Sequence, residues 1–199
     1  HDLAMLLDVL HDELGYWPHP IFHKGFSANP ILSRFLDDMG FVSGDDGTLE
    51  AAVARGEHIV VTPGGTREGL RPAWVRYQVD WGQRAGYLRL ALKYGLDVVP
   101  AAGWGVDDVF MGLNDGYRLG RRLGVPSAVP LWVGVGSTGI WPLALPLPVK
   151  VTTVIGERIS LADRDVDMDD PDALLTRHEE VVGAVQALLD ARPNARRTA

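Results

Sequence analysis

Short runs of apolar, β-branched residues alternate along this chain with longer stretches whose apolar residues recur at helical spacing. His58–Thr62 (HIVVT), Asp97–Ala102 (DVVPAA) and Val151–Ile155 (VTTVI) read as short buried strands. Leu3–Leu14, Thr48–Arg55, Gln83–Tyr94, Leu113–Leu123 and Pro171–Leu189 read as helices, and Gly15, Gly56 and Gly95 stand just after three of them as stop signals. Asn29-Pro30 has the cap and first-turn chemistry of a further helix reaching Met39, and Asp169 or Asp170 can cap the last one. Tyr16–Phe26 reads as a loop, Asp45-Asp46-Gly47 as a turn, and Ala191–Ala199 as a frayed end. Val125–Val149 is apolar but repeatedly interrupted by proline and glycine, and reads as a long irregular segment. Alternating strands and helices predict an α/β fold: a single domain over residues 1–199 with a mostly parallel central sheet flanked by helices.

Composition removes several classes of function. A chain of 199 residues can bury roughly 70% of its unfolded surface, enough for a substantial core. The formal net charge of −7 argues against a nucleic-acid partner, which needs a basic stripe to displace counterions. With no cysteine there is no disulfide, no thiolate nucleophile and no cysteine-ligated metal. No stretch reaches the roughly 18 apolar residues of a membrane-spanning helix. The sequence opens at His1 rather than methionine, and a strand or a membrane anchor is expected ahead of it.

Two clusters have catalytic chemistry. After HIVVT comes Pro63-Gly64-Gly65-Thr66-Arg67-Glu68-Gly69. A glycine-rich turn after a strand lets backbone N–H groups approach a phosphate or an oxyanion, and Arg67 adds a forked cation. The plainer reading is a tight turn with a surface ion pair. The ending Gly-Lys-Ser/Thr of a P-loop is absent. The second cluster is His1 with Asp8. A carboxylate beside an imidazole fixes its tautomer and leaves the other ring nitrogen to act as a base. Seven residues put both on one helix face but about 10.5 Å apart along the axis, and Asp2 is a nearer partner.

Other signals are weaker. Gly136-Ser137-Thr138-Gly139 approaches a nucleophile elbow, but Val135 occupies the position of its first glycine. Asp163, Asp165, Asp167 and Asp169 alternate like a calcium loop, but Met168 stands where that loop needs glycine. His11, His19 and His23 lack convincing metal-ligand spacing, and no metal is expected. Asp107-Asp108 suits a turn better than a cation site. Trp17, Trp104, Trp132 and Trp141 in apolar loops fit either core packing or a membrane interface.

Taken together, these segments resemble the phospholipid and glycerol acyltransferase superfamily, nearest its monoacylglycerol and diacylglycerol acyltransferase-like branch. The resemblance covers nearly the whole chain. His1–Asp8 (HDLAMLLD) is similar to the family's first block, a His followed by an Asp. Val61–Gly69 (VTPGGTREG) is similar to its Phe-Pro-Glu-Gly-Thr-Arg block, with Gly64 where that Glu would be and Glu68 after the Arg. Arg84–Gly105 and Pro142–Gly156 resemble its helix with a Val-Pro block and its late proline-rich strand entry. The resemblance implies a glycerol-3-phosphate acyltransferase-like fold and transfer of an acyl group from acyl-CoA to a lipid hydroxyl. In it, His1 and Asp8 are catalytic, Pro63, Gly64, Gly65, Thr66, Arg67 and Glu68 bind substrate, and no cofactor is needed beyond the acyl-CoA co-substrate. It also implies peripheral attachment to the cytoplasmic face of a membrane, in a bacterial setting. Lysophosphatidate is the rival acceptor. A non-catalytic lipid-binding protein and a serine hydrolase built on Ser137 are the rival classes.

Overall fold

The computed structural model describes residues 2–22, 42–43, 47–124, 131–161 and 170–193. The chain divides into two compact units, His1–Thr62 and Pro63–Ala199.

In the first unit, α1 (Asp2–Leu14) buries Leu7, and the predicted stop is present: Gly15 takes φ 77° and its N–H donates to the His11 carbonyl at 2.9 Å. β1 (His19–Phe22) follows, then β2 (Val42–Ser43), α2 (Gly47–Ala54) and β3 (Ile59–Val60). β1 lies between β2 and β3 and is parallel to both, with Ile21 opposite Val42 and His19 opposite Ile59. α2 buries Leu49 and Ala52, and Gly56 closes it with φ 72°. β1 occupies a stretch whose prolines and histidines read as a loop. Pro20 is nonetheless buried within the strand, where its missing N–H leaves one ladder bond fewer. The helix predicted at 29–39 and Asp45-Asp46 lie outside the described residues.

The second unit opens with α3 (Gly65–Gly69) and a 3-10 turn at Ala73–Val75, then α4 (Gly86–Tyr94) and β4 (Ala101–Trp104). A second 3-10 turn at Val106–Asp108 leads to β5 (Met111–Gly112), α5 (Gly116–Arg122), β6 (Gly134–Gly136), β7 (Gly139–Ile140), β8 (Thr152–Ile155) and α6 (Pro171–Asp190). The core forms where α4 meets α6: Ala85, Leu88 and Ala91 pack with Leu161, Leu174 and Val181. Leu88 and Ala91 lie one turn apart on α4, as Leu174 and Val181 lie two turns apart on α6, while Leu161 comes from outside both helices. Asp170 caps α6, its Oδ1 accepting from the N–H groups of Asp172 at 3.0 Å and Ala173 at 3.4 Å. Gly95 ends α4 in the left-handed region.

A mostly parallel central sheet is not what forms. Among the described residues the strands make three small sheets, and both sheets of the second unit are antiparallel. β4 pairs with β8, Ala101 opposite Ile155 and Trp104 opposite Thr152, and a bridge from Val98 to Ile159 extends the pair. A β-branched run has the same composition whichever way its partner points, so DVVPAA and VTTVI carried no sign of direction. β6 and β7 form a hairpin inside the stretch expected to be irregular, and β5, from before that stretch, completes the meander. Its tight geometry depends on glycine. A β-carbon at Gly134 would strike the Trp132 ring at 2.1 Å, and one at Gly136 would strike the Leu145 carbonyl at 2.1 Å.

Candidate functional site

The glycine-rich turn is built from its first residues upward. Gly65 starts α3 with φ 55°, a conformation that glycine adopts without strain and other residues rarely do. Gly64 is buried and Gly65 exposed. Pro63 is half-buried, and the side chain of Thr66 lies outside the described residues. The first N–H groups of a helix lack intrahelical partners, so an unsubstituted backbone here is open to a ligand oxygen.

Arg67 is exposed and pairs through Nε with Asp80 Oδ2 at 2.9 Å. Glu68 engages the same residue and its neighbour. Its Oε1 accepts from the Asp80 N–H at 3.0 Å and its Oε2 from the Trp81 indole N–H at 2.9 Å. The carboxylate lies across Gly64, where a β-carbon would stand 1.8 Å from Oε2. Glu68 therefore ties the turn to Asp80 and Trp81 ahead of α4 and closes one side of Gly64, while Gly65 stays open.

Arg71 continues the network. It donates from Nε to the Glu68 carbonyl at 2.9 Å, lies 3.3 Å from Asp107 Oδ1, and donates to the Gln78 carbonyl. Asp107 also accepts from the Tyr77 N–H at 2.6 Å, and Asp108 binds Arg76 at 2.9 Å and the Tyr77 hydroxyl. Asp107-Asp108 thus cross-links the 71–77 segment, in keeping with the turn reading. Tyr77 is held at φ 61° under the Arg192 guanidinium, 3.5 Å from the ring centroid. Burial first, and then Asp108, raises its hydroxyl pKa above the ordinary value. Nothing in the spacing of Arg71, Tyr77 and Asp107 marks this network, because it closes through contacts about 30 residues apart in the chain.

Of the other pair, His1 lies outside the described residues, and Asp8 is exposed on α1. The first unit holds a triad that spacing did not reveal. Glu57 accepts from Arg55 at 2.9 and 2.7 Å and from His19 Nε2 at 2.8 Å. Arg55 first, and then His19, hold its carboxyl down at about 2. His58 bonds through Nδ1 to the Tyr16 hydroxyl. His11 stacks on Trp17 with centroids 4.3 Å apart.

Gly136-Ser137-Thr138-Gly139 is the turn of the β6–β7 hairpin, and the Ser137 hydroxyl donates to the Leu145 carbonyl at 3.3 Å. No group of three metal-ligating side chains occurs among the described residues; His23 and Asp163–Asp169 lie outside them. A shallow cleft of about 380 Å³ lies between Pro100, Ile159 and the outer face of α6, and no turn residue lines it.

Comparison with known proteins settles the family. Residues 23–194 match the model of the diacylglycerol acyltransferase family, and this chain belongs to that family. The match includes the Pro63–Glu68 turn and begins after His1 and Asp8. Among curated relatives, the chicken protein named "DGAT1/2-independent enzyme synthesizing storage lipids" is 26% identical over 81% of this chain and 48% of its own length. Rat diacylglycerol O-acyltransferase 2 is 25% identical over 77% of this chain and 44% of its own. Phytyl ester synthase 2 of Arabidopsis thaliana, a chloroplast protein, is 28% identical over 46% of this chain and 13% of its own. The chain spans about half the length, or less, of the curated relatives it matches. No solved structure matches it.

Proposed function

We propose that this chain carries the catalytic part of an O-acyltransferase that moves a fatty acyl group from acyl-CoA to the hydroxyl of a glycerolipid or related lipid alcohol. The observation that carries the reading is the family match across residues 23–194, with the glycine-rich turn inside it. The relatives' names support a lipid-alcohol acceptor: one is a diacylglycerol acyltransferase and another a phytyl ester synthase.

In this reading His1, oriented by Asp8, takes the proton from the acceptor hydroxyl as that oxygen attacks the thioester carbonyl. Backbone N–H groups at Gly64 and Gly65 stabilise the oxyanion. The carbon–sulfur bond then breaks, coenzyme A leaves as its thiolate, and the imidazolium returns the proton to the sulfur. No other cofactor is required. Arg67, exposed at the rim of the turn, suits the phosphates of the donor. Glu68 holds the turn in shape. A glutamate fully engaged by Asp80 and Trp81 supports a structural share in substrate binding better than direct contact.

In this reading the protein works peripherally at the cytoplasmic face of a membrane, which a lipid-alcohol acceptor supports. No described helix is long and apolar enough to cross a bilayer. The test is a panel of monoacylglycerol, diacylglycerol, a long-chain alcohol and lysophosphatidate with labelled acyl-CoA. We expect labelled ester with the neutral alcohols. Label on lysophosphatidate alone would replace that acceptor class, and no label on any acceptor would remove the reading.

A further inference from the structure

The second unit exposes a cluster of apolar side chains at one place. Leu143 is 93% exposed, Leu145 63% and Ile140 59%, and Trp141 beside them is 37% exposed. They sit at the end of β7 and in the segment that follows it. A contiguous exposed apolar patch marks an interaction surface, unlike apolar residues scattered singly.

Three further observations say what this surface meets. First, it is rigidly backed. Trp132 is buried, fixed by its indole N–H on the Arg71 carbonyl at 3.1 Å, and takes Trp141 edge-on with centroids 5.9 Å apart. Second, most of its backbone N–H groups are already bonded within the protein. The N–H of Trp141 goes to the Gly134 carbonyl, of Leu143 to Ile140, of Leu147 to Val109, and of Leu145 to the Thr138 hydroxyl, at 2.8 to 3.2 Å. Pro142, Pro146 and Pro148 have no N–H to satisfy. Removing water from such a segment leaves few orphaned donors, the condition for entering hydrocarbon. Third, its charges are arranged for an anionic surface. The sequence from Leu123 to Val149 contains no charged residue, and Arg121, Arg122 and Lys150 bracket it. α5 also carries Arg118, all three of its arginines are exposed, and its start is bonded to the approach to β6 through the Leu131 N–H and the Gly116 carbonyl at 3.0 Å. This basic helix belongs to a chain whose net charge is −7.

We infer that the segment from Ile140 to Leu145 inserts its exposed apolar side chains into the headgroup–acyl boundary of a membrane containing anionic lipid, with the α5 arginines at headgroup level. Trp141 sits where an aromatic ring with one polar edge is most stable, at the boundary itself. The inference deepens the peripheral placement proposed above, but vesicle binding is measured without turnover, so the two fail separately.

The experiment is co-sedimentation of the protein with phosphatidylcholine vesicles, with and without phosphatidylglycerol. Leu143→Asp/Leu145→Asp should lower the partition coefficient at least tenfold on both vesicles. Arg121→Ser/Arg122→Ser should weaken binding about fivefold per charge, and only where phosphatidylglycerol is present. Leu143→Ser alone serves if the double variant fails to fold, and should cost severalfold. Wild-type binding that these leucine variants leave unchanged would overturn the inference. So would a wild-type protein that binds neither vesicle, or one that self-associates through these leucines and ignores lipid.

Discussion

A β-carbon at position 64 would stand 1.8 Å from Oε2 of Glu68, so the glycine and the glutamate four residues later form a complementary pair. The carboxylate occupies the space that any side chain at 64 needs. In the acyltransferase block that this turn resembles, a glutamate stands at the position of Gly64. Here the carboxylate arrives from the next helical turn and is held by Trp81, Asp80 and Arg71.

Gly64→Ala should therefore displace Glu68 and lose its charge-assisted hydrogen bonds, costing about 1–3 kcal/mol in denaturant melts. In a Glu68→Ala background the same substitution should add less than ~0.5 kcal/mol, since the space is then vacant. Additive costs would show that the two positions do not meet.

Glu57 sets an acid limit on the first unit. Arg55 first, and then His19, hold its carboxyl at about 2, below the ordinary value of roughly 4.3. A depressed carboxylate contributes stability above its unfolded pKa and loses it as pH falls through the folded one. The stability of wild-type protein should thus decline between about pH 4.3 and pH 2, and Glu57→Gln should flatten that limb. Melting temperatures across this range are the measurement. Parallel curves for the two proteins would remove Glu57 from acid unfolding.

His178, on α6 between the core residues Leu174 and Val181, is a buried polar group, 2% exposed. Its Nε2–H donates to the Gly82 carbonyl at 2.8 Å, leaving Nδ1 to accept from the Tyr87 hydroxyl at 3.2 Å. Burial raises the pKa of that hydroxyl, which stays a donor. His178→Phe keeps the ring but strands both partners and should cost about 1–3 kcal/mol. Equal unfolding midpoints for wild type and variant would mean that water replaces the imidazole.

Local signals made most helices legible. The apolar spacing of Leu3–Leu14, Gln83–Tyr94 and Pro171–Leu189, with Gly15, Gly95 and Asp170 at their ends, depends only on neighbours within a few residues. Strand pairing does not. His19–Phe22 is a central strand despite two prolines around His19, because β2 and β3 flank it, and they come from sequence 20 to 40 residues away. The direction of β4 against β8 is likewise decided across some 50 residues, which is why the expected parallel sheet was wrong. At the candidate site the turn itself was legible from Pro63-Gly64-Gly65. The partners of Glu68 and Arg71 were not, since Asp80, Trp81 and Asp107 carry no pattern that points back to the turn.

Release of coenzyme A and formation of labelled lipid ester, compared between wild-type protein and His1→Ala at equal amounts of vesicle-bound protein, tests the acyltransferase assignment most directly. The expected result is ester formation by wild type and a fall of about 10²- to 10⁴-fold in the variant, the usual worth of a general base. Equal rates in the two proteins, or no ester from wild type with any lipid alcohol, would contradict it.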